Sequence, residues 1–176
     1  MSYSTVYGLW PGTDKRQRLA EFRNSWGMAP VVWKAIAQRH LGATPYGWGQ
    51  HMDEMWPLAE REDIPVSARV LLRMTFDTRY ILASDVKRAI DDIAIFLHAY
   101  RDVIDPAGAN HWPAYASVLV TQWAESPIAF GVHQTSVSAN TWDGPYDEAT
   151  DSRLPFDWST AESVYAGLEF RRGVGR

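Results

Sequence analysis

Cysteine is absent from the chain. With it go disulfide frameworks, thiolate zinc sites, iron–sulfur clusters and a cysteine nucleophile. Long apolar runs are missing as well. The most hydrophobic helical stretch, 86–100, is interrupted by Lys87, Arg88, Asp91 and Asp92, so no segment offers the roughly 20 apolar residues that cross a bilayer. The opening MSYSTVYGLWPG lacks the basic-then-apolar pattern of a secretion signal, which sets the expectation of a cytoplasmic protein with no membrane contact. Phosphate-binding patterns are missing too. Gly47-Trp48-Gly49 has no third glycine and no strand before it, there is no GxxxxGK[ST], and no GxSxG elbow is found. No cofactor is expected.

Charge of one sign is scarce where nucleic acid would need it. The net charge is −4, made of +4 over the first 45 positions and −8 over the remainder. A weakly acidic whole argues against non-specific nucleic-acid binding, which needs a concentrated basic face. The Lys15–Arg18 cluster near Trp10, Trp26 and Trp33 reads as the solvent side of a helix.

What is present in excess is tryptophan, nine in 176 residues. One core does not need so many, so some are expected at a surface or around a cavity, where a flat apolar body meets a polar edge. The length is that of one domain, and 46% hydrophobic with 22% charged residues is a globular composition. A single globular domain over 1–176 is expected.

The order of elements follows from periodicity and punctuation. Residues 3–10 (YSTVYGLW) read as a strand stopped by Pro11-Gly12. Thr13 or Asp14 then caps a helix to Trp26, with Leu19, Phe22 and Trp26 on one side. Pro30 opens a second helix ending at Gly42. A short helix follows around Met52 to Arg61, interrupted by Pro57. The run Val70, Leu71, Leu72, Met74, Phe76 reads as a buried central strand ending at Asp77. Val86, Ala89, Ile90, Ile93, Leu97 and Tyr100 then recur three and four apart, a helix capped by Ser84. Asn110 caps another helix carrying Trp112, Tyr115, Leu119 and Trp123. Residues 128–138 (IAFGVHQTSVS) form a third strand whose apolar character fades toward its end. Residues 139–157 have no period. A last helix starts at Asp157 or Ser159 and carries Trp158, Val164 and Tyr165, and a basic tail, 171–176, frays off. The expectation is an α+β domain, a mixed sheet of three to four strands covered by five to six helices.

The least scaffold-like stretch is the 139–157 loop. Long aperiodic connections inside a domain are usually functional or disordered. This one joins Asp143, Asp147, Glu148, Asp151 and Asp157 to Trp142, Tyr146 and Phe156, against the single Arg153. Carboxylates that steer encounter, beside rings that supply contact area, suit a basic protein partner. The leading expectation is therefore a small inhibitor that masks such a partner through Trp142, Asp143, Tyr146, Asp147, Glu148 and Asp151. A toxin-immunity protein or a phage-encoded antagonist of a host defence nuclease would be of this kind. The alternative is a hydrolase. If the strands ending at Asp77 and carrying His133 are neighbours, the carboxylate could orient the imidazole as a general base in a tryptophan-lined pocket, with Ser136 or Thr135 nearby. A second alternative is a subunit of a homo-oligomeric or viral assembly, with the surplus tryptophans at its contacts. His51 and Glu54, three apart on one helix face, are the candidate metal pair. The loop carboxylates do not have EF-hand spacing.

Overall fold

The first strand, β1 (Tyr3–Leu9), is flanked on both sides by antiparallel partners, β2 (Arg16–Arg23) and β4 (Ala129–His133). The computed structural model describes residues 2–135 and 138–168. The other elements are α1 (Ala29–His40), α2 (Met52–Met55), α3 (Val66–Met74), β3 (Arg79–Leu82), α4 (Val86–Ala99) and α5 (Trp112–Val120). Three two-residue strands complete the set: β5 (Tyr146–Asp147), β6 (Ser152–Arg153) and β7 (Glu162–Ser163). The main sheet runs β2-β1-β4-β3-β7, with only the β3–β7 pair parallel; β5 and β6 make a separate hairpin. The class is thus α+β, with, among the described residues, five strands in the mixed sheet where three or four were expected, and five helices.

The additional strands come from segments that read as helical. Residues 16–23 form an edge strand. Val6 pairs with Ala20 and Tyr7 with Arg18, so Leu19 is an extra residue, a β-bulge. The bulge breaks the alternation and sets Leu19 and Phe22 three apart, the spacing of a helix face. The last helix is likewise replaced: Trp158–Thr160 is one 3-10 turn, capped as expected by Asp157, and β7 follows. β7 is held by Glu162 N–H to Thr78 O (3.1 Å) and Val164 N–H to Tyr80 O (2.9 Å). The buried Arg73 then donates to the carbonyls of Val164 (3.3 Å) and Ala166 (2.5 Å).

The expected central strand at Val66–Phe76 is a helix, α3, opened by Pro65. Ser67, Ala68 and all of Val70–Met74 are buried, so the segment is apolar nearly all round, and a short run of this kind carries no period to separate strand from helix. The strand lies further on, at Arg79–Leu82, reached through Thr78, whose φ of 60° turns the chain. Ser84 does not cap α4; it lies in the 3-10 turn Ala83–Asp85 that feeds the helix. The helix at Ala29–His40 lies where expected, with Pro30 in its first turn. The helix at Trp112–Val120 starts where expected, Asn110 Oδ1 accepting from the Trp112 N–H at 3.1 Å, but stops before Trp123, because Thr121 is extended.

The two faces of the sheet carry different cores. The helices pack on Val6, Ile81, Phe130 and Val132, with Ile36, Leu71, Phe96 and Trp112 among the side chains they bury. The opposite face, with Leu9 and Ala129, is covered by Trp142, Phe156 and Trp158 from the chain after β4. Among the described residues no helix is long and apolar enough to cross a membrane.

Candidate functional site

β4 runs out at His133 beside the turn that follows α3. β3 pairs with β4 in the register Tyr80 to Gly131, and continuing that register brings the turn before β3 alongside His133. The strand carrying His133 and the segment carrying Asp77 are therefore neighbours. Asp77, however, precedes β3 rather than ending a strand. Between the two and the helix layer is a cavity of about 520 Å³, lined by Trp33, Trp56, Thr75, Phe76, Asp77, His133, Gln134, Thr135 and Ser138. Its volume is that of a small-molecule site.

Three rings build its walls. Trp33 and Trp56 meet edge to face, centroids 5.6 Å apart and planes at 83°; Trp56 and Phe76 do the same at 5.3 Å and 86°. Each ring comes from a different part of the chain: α1, the 3-10 turn after α2, and the turn that follows α3. The Trp33 indole is fixed by its Nε1–H, which donates to Thr75 Oγ1 at 2.8 Å, and the Thr75 hydroxyl donates to Leu72 O at 2.6 Å. The ring row continues outward, Trp33 to Trp48 at 5.9 Å and Trp48 to the exposed Trp26 at 6.1 Å. The tryptophan excess is thus divided between a cavity wall, the surface and the interior.

The polar edge is a three-residue arrangement. The Thr141 hydroxyl donates to Asp77 Oδ1 at 3.1 Å and lies 3.3 Å from His133 Nδ1. The backbone N–H of Thr141 donates to the same Nδ1 at 3.3 Å. A backbone amide can only donate, so Nδ1 is an acceptor and the neutral ring carries its proton on Nε2. Burial pushes the His133 pKa below its ordinary value; the Asp77 and Asp143 carboxylates and a backbone hydrogen bond at Ser138 pull the other way without overcoming it. At neutral pH the imidazole is uncharged. A carboxylate-oriented general base has the opposite wiring, Nδ1–H given to the acid and the lone pair on Nε2 left for the substrate. Here Asp77 reaches His133 only through Thr141. Gln134 completes the edge: its Nε2 donates to Met74 O at 3.0 Å, and its Oε1 is buried with no hydrogen-bond partner.

The pocket therefore brings Asp77, His133 and Thr135, named together from sequence, alongside Trp33, Trp56, Thr75, Phe76 and Gln134, with Thr141 bridging Asp77 and His133 beside it. Thr141 carried no sequence signal, because only the return of the 139–143 segment against β4 makes it a neighbour. Ser136 lies outside the described residues, as do Val137 and the basic tail 171–176.

The expected partner-binding loop is distributed differently. Trp142 is 2% exposed and packs on Phe156 (5.5 Å) and Trp158 (6.2 Å), so it is core and not an accessible anchor. Asp143 is pinned between Arg16 Nη2 (2.6 Å) and Arg153 Nε (3.3 Å). The rest of the loop forms the β5–β6 hairpin. Asp147 accepts from Ala149 N–H (3.0 Å) and the Thr150 hydroxyl (2.7 Å), and the Tyr146 hydroxyl donates to Asp151. Tyr146, Glu148 and Asp151 are exposed there. His51 Nδ1 lies 3.0 Å from Glu54 Oε1, and among the described residues no group of three or more acidic or histidine side chains gathers as a metal site.

No protein-family model, no curated protein and no solved structure matches the chain.

Proposed function

We propose that the chain is a small-molecule-binding protein whose ligand occupies the pocket between Trp33, Trp56, Phe76 and the end of β4. The observation that carries this reading is the set of aromatic walls: three half-buried rings from three parts of the chain, held perpendicular around a cavity of about 520 Å³. Ligand pockets of this size are characteristically lined by aromatic and apolar side chains with a few polar groups. The polar edge then serves recognition. His133 offers a donor and Asp77 a carboxylate. Recognition is favoured over hydrolysis because the Nδ1 lone pair of His133 is already engaged by the Thr141 amide.

A thermal-shift screen of a small-molecule library tests the reading. A ligand at 100 times its Kd stabilises the native state by about 2.7 kcal/mol. The expected hits raise the Tm of the wild type and lose that effect in Trp56→Leu. A screen without hits, or hits that Trp56→Leu retains, ends the proposal.

A second reading, an inhibitor of a basic protein partner, is favoured by the exposed Tyr146, Glu148 and Asp151 on one hairpin. Without Trp142 at the surface its contact would centre on Tyr146. Its test is whether a basic protein co-purifies with the wild type and not with Tyr146→Ala/Glu148→Lys.

A further inference from the structure

We infer that the ligand of this pocket is an organic cation whose charge is carried on a methylated nitrogen, a trimethylammonium group or its close analogue. The inference rests on the ligand-binding reading above and adds the ligand's chemistry.

Four features point to this class. First, Trp33 and Trp56 meet at 83° and Trp56 and Phe76 at 86°, so the rings form successive walls of a box rather than a parallel slot. A flat neutral ring is best held between parallel faces; a rounded cation is attracted to the face of each ring that surrounds it, most strongly to indole. Second, among the described residues Asp77 is the only formally charged group on the lining, which there contains no Lys or Arg. Asp77 is exposed at the rim, takes a hydrogen bond from Thr141, and among the described residues makes no ion pair that would neutralise it. Third, His133 is held neutral by burial among these groups, so it adds no opposing charge. An anion would meet one carboxylate and no cation. Fourth, the three ring walls themselves offer few hydrogen-bond groups, the Trp33 indole N–H being spent on Thr75. A primary ammonium entering them would lose strong hydration, whereas a methylated nitrogen has little to lose and more apolar surface to bury. A cavity of about 520 Å³ also leaves room beyond such a head group.

The test compares choline with 3,3-dimethyl-1-butanol, its neutral carbon isostere, by tryptophan-fluorescence titration of the full chain, with a peptide bearing trimethyllysine as a third probe. The expected result is that choline binds and the isostere binds at least about ten-fold more weakly, in line with cation–π attraction plus one carboxylate. Asp77→Asn, at an exposed position, is expected to weaken choline several-fold and to leave the isostere unchanged. The trimethyllysine peptide tells which carrier the rim admits, and binding of it in place of choline supports the same chemistry. Equal affinity for choline and the isostere overturns the inference. So does a pocket that binds neutral or anionic library compounds while ignoring both cations, although the ligand-binding reading would then stand. That reading falls only if no compound of any charge is lost with Trp56→Leu.

Discussion

Trp142 lies directly on Gly131: a β-carbon at Gly131 would overlap the indole and come within 2.8 Å of Leu9 Cδ1. The missing side chain in the middle of β4 is what lets the chain after the strand fold back flat on the sheet. That return carries Thr141 to His133 and Asp77, one residue before the anchor. Gly131→Ala is therefore expected to destabilise the fold by about 2 kcal/mol, the cost of overpacking a filled core, as read from urea unfolding. Because Trp142 would be displaced first, the same variant should also weaken ligand binding, although Gly131 does not line the pocket.

Trp33→Phe keeps an aromatic wall and removes one donor, the indole N–H given to Thr75 at 2.8 Å. Thr75 still donates to Leu72 O, so no donor is left stranded. A loss of about 1 kcal/mol is expected, the net value of one such bond. Chemical denaturation measures it.

His133 gives the pocket a pH dependence of definite sign. Its pKa in the folded chain lies below the unfolded value of 6.5, so the unfolded chain binds the proton more readily between those two values. Stability from this group is fully present above pH 6.5 and is lost as pH falls through the window beneath it. His40, whose pKa is also lowered, first by burial and then by Arg39, acts in the same direction. Urea midpoints measured from pH 7.5 to 5 should fall, and His133→Gln should flatten the slope without removing the part due to His40. A slope unchanged in His133→Gln would contradict the assignment.

Asp92 acts oppositely. Burial raises its pKa, while the Tyr165 hydroxyl that donates to it at 2.9 Å holds it back. A raised carboxylate means the charged form is disfavoured on folding, so its contribution improves as pH falls through the folded value toward the unfolded one. Asp92→Asn keeps an acceptor for Tyr165 and removes the charge. A higher Tm at pH 7 is expected, with the difference shrinking toward pH 4.

Much of the helix layer was legible in the sequence. The residues that failed did so for different reasons. Leu19 and Phe22 lie three apart because of a bulge, and Arg, Gln, Ala and Glu at 16–21 are good helix formers, yet pairing with β1 makes the segment a strand. Leu71 and Leu72 belong to a helix buried on nearly every side, which erases its period. For the site, residue type singled out Asp77 and His133, but the strand expected to end at Asp77 is helix α3, and it is β3, starting at Arg79, that brings the segment beside His133. Thr141 and Gln134 were not singled out, since nothing local marks a threonine that meets a histidine eight positions back. Trp142 was misplaced because an aperiodic acidic loop hides which of its rings turn inward.

The central claim is that the walls of Trp33, Trp56 and Phe76 enclose a ligand. It is tested most directly by following the indole N–H resonances of the nine tryptophans while small compounds are added. The account predicts that a binding compound moves Trp33 and Trp56 together and leaves Trp112, buried in the helix layer, unmoved. Compounds that shift the outer Trp26 while Trp33 and Trp56 stay still, or a full library that moves neither, would contradict it.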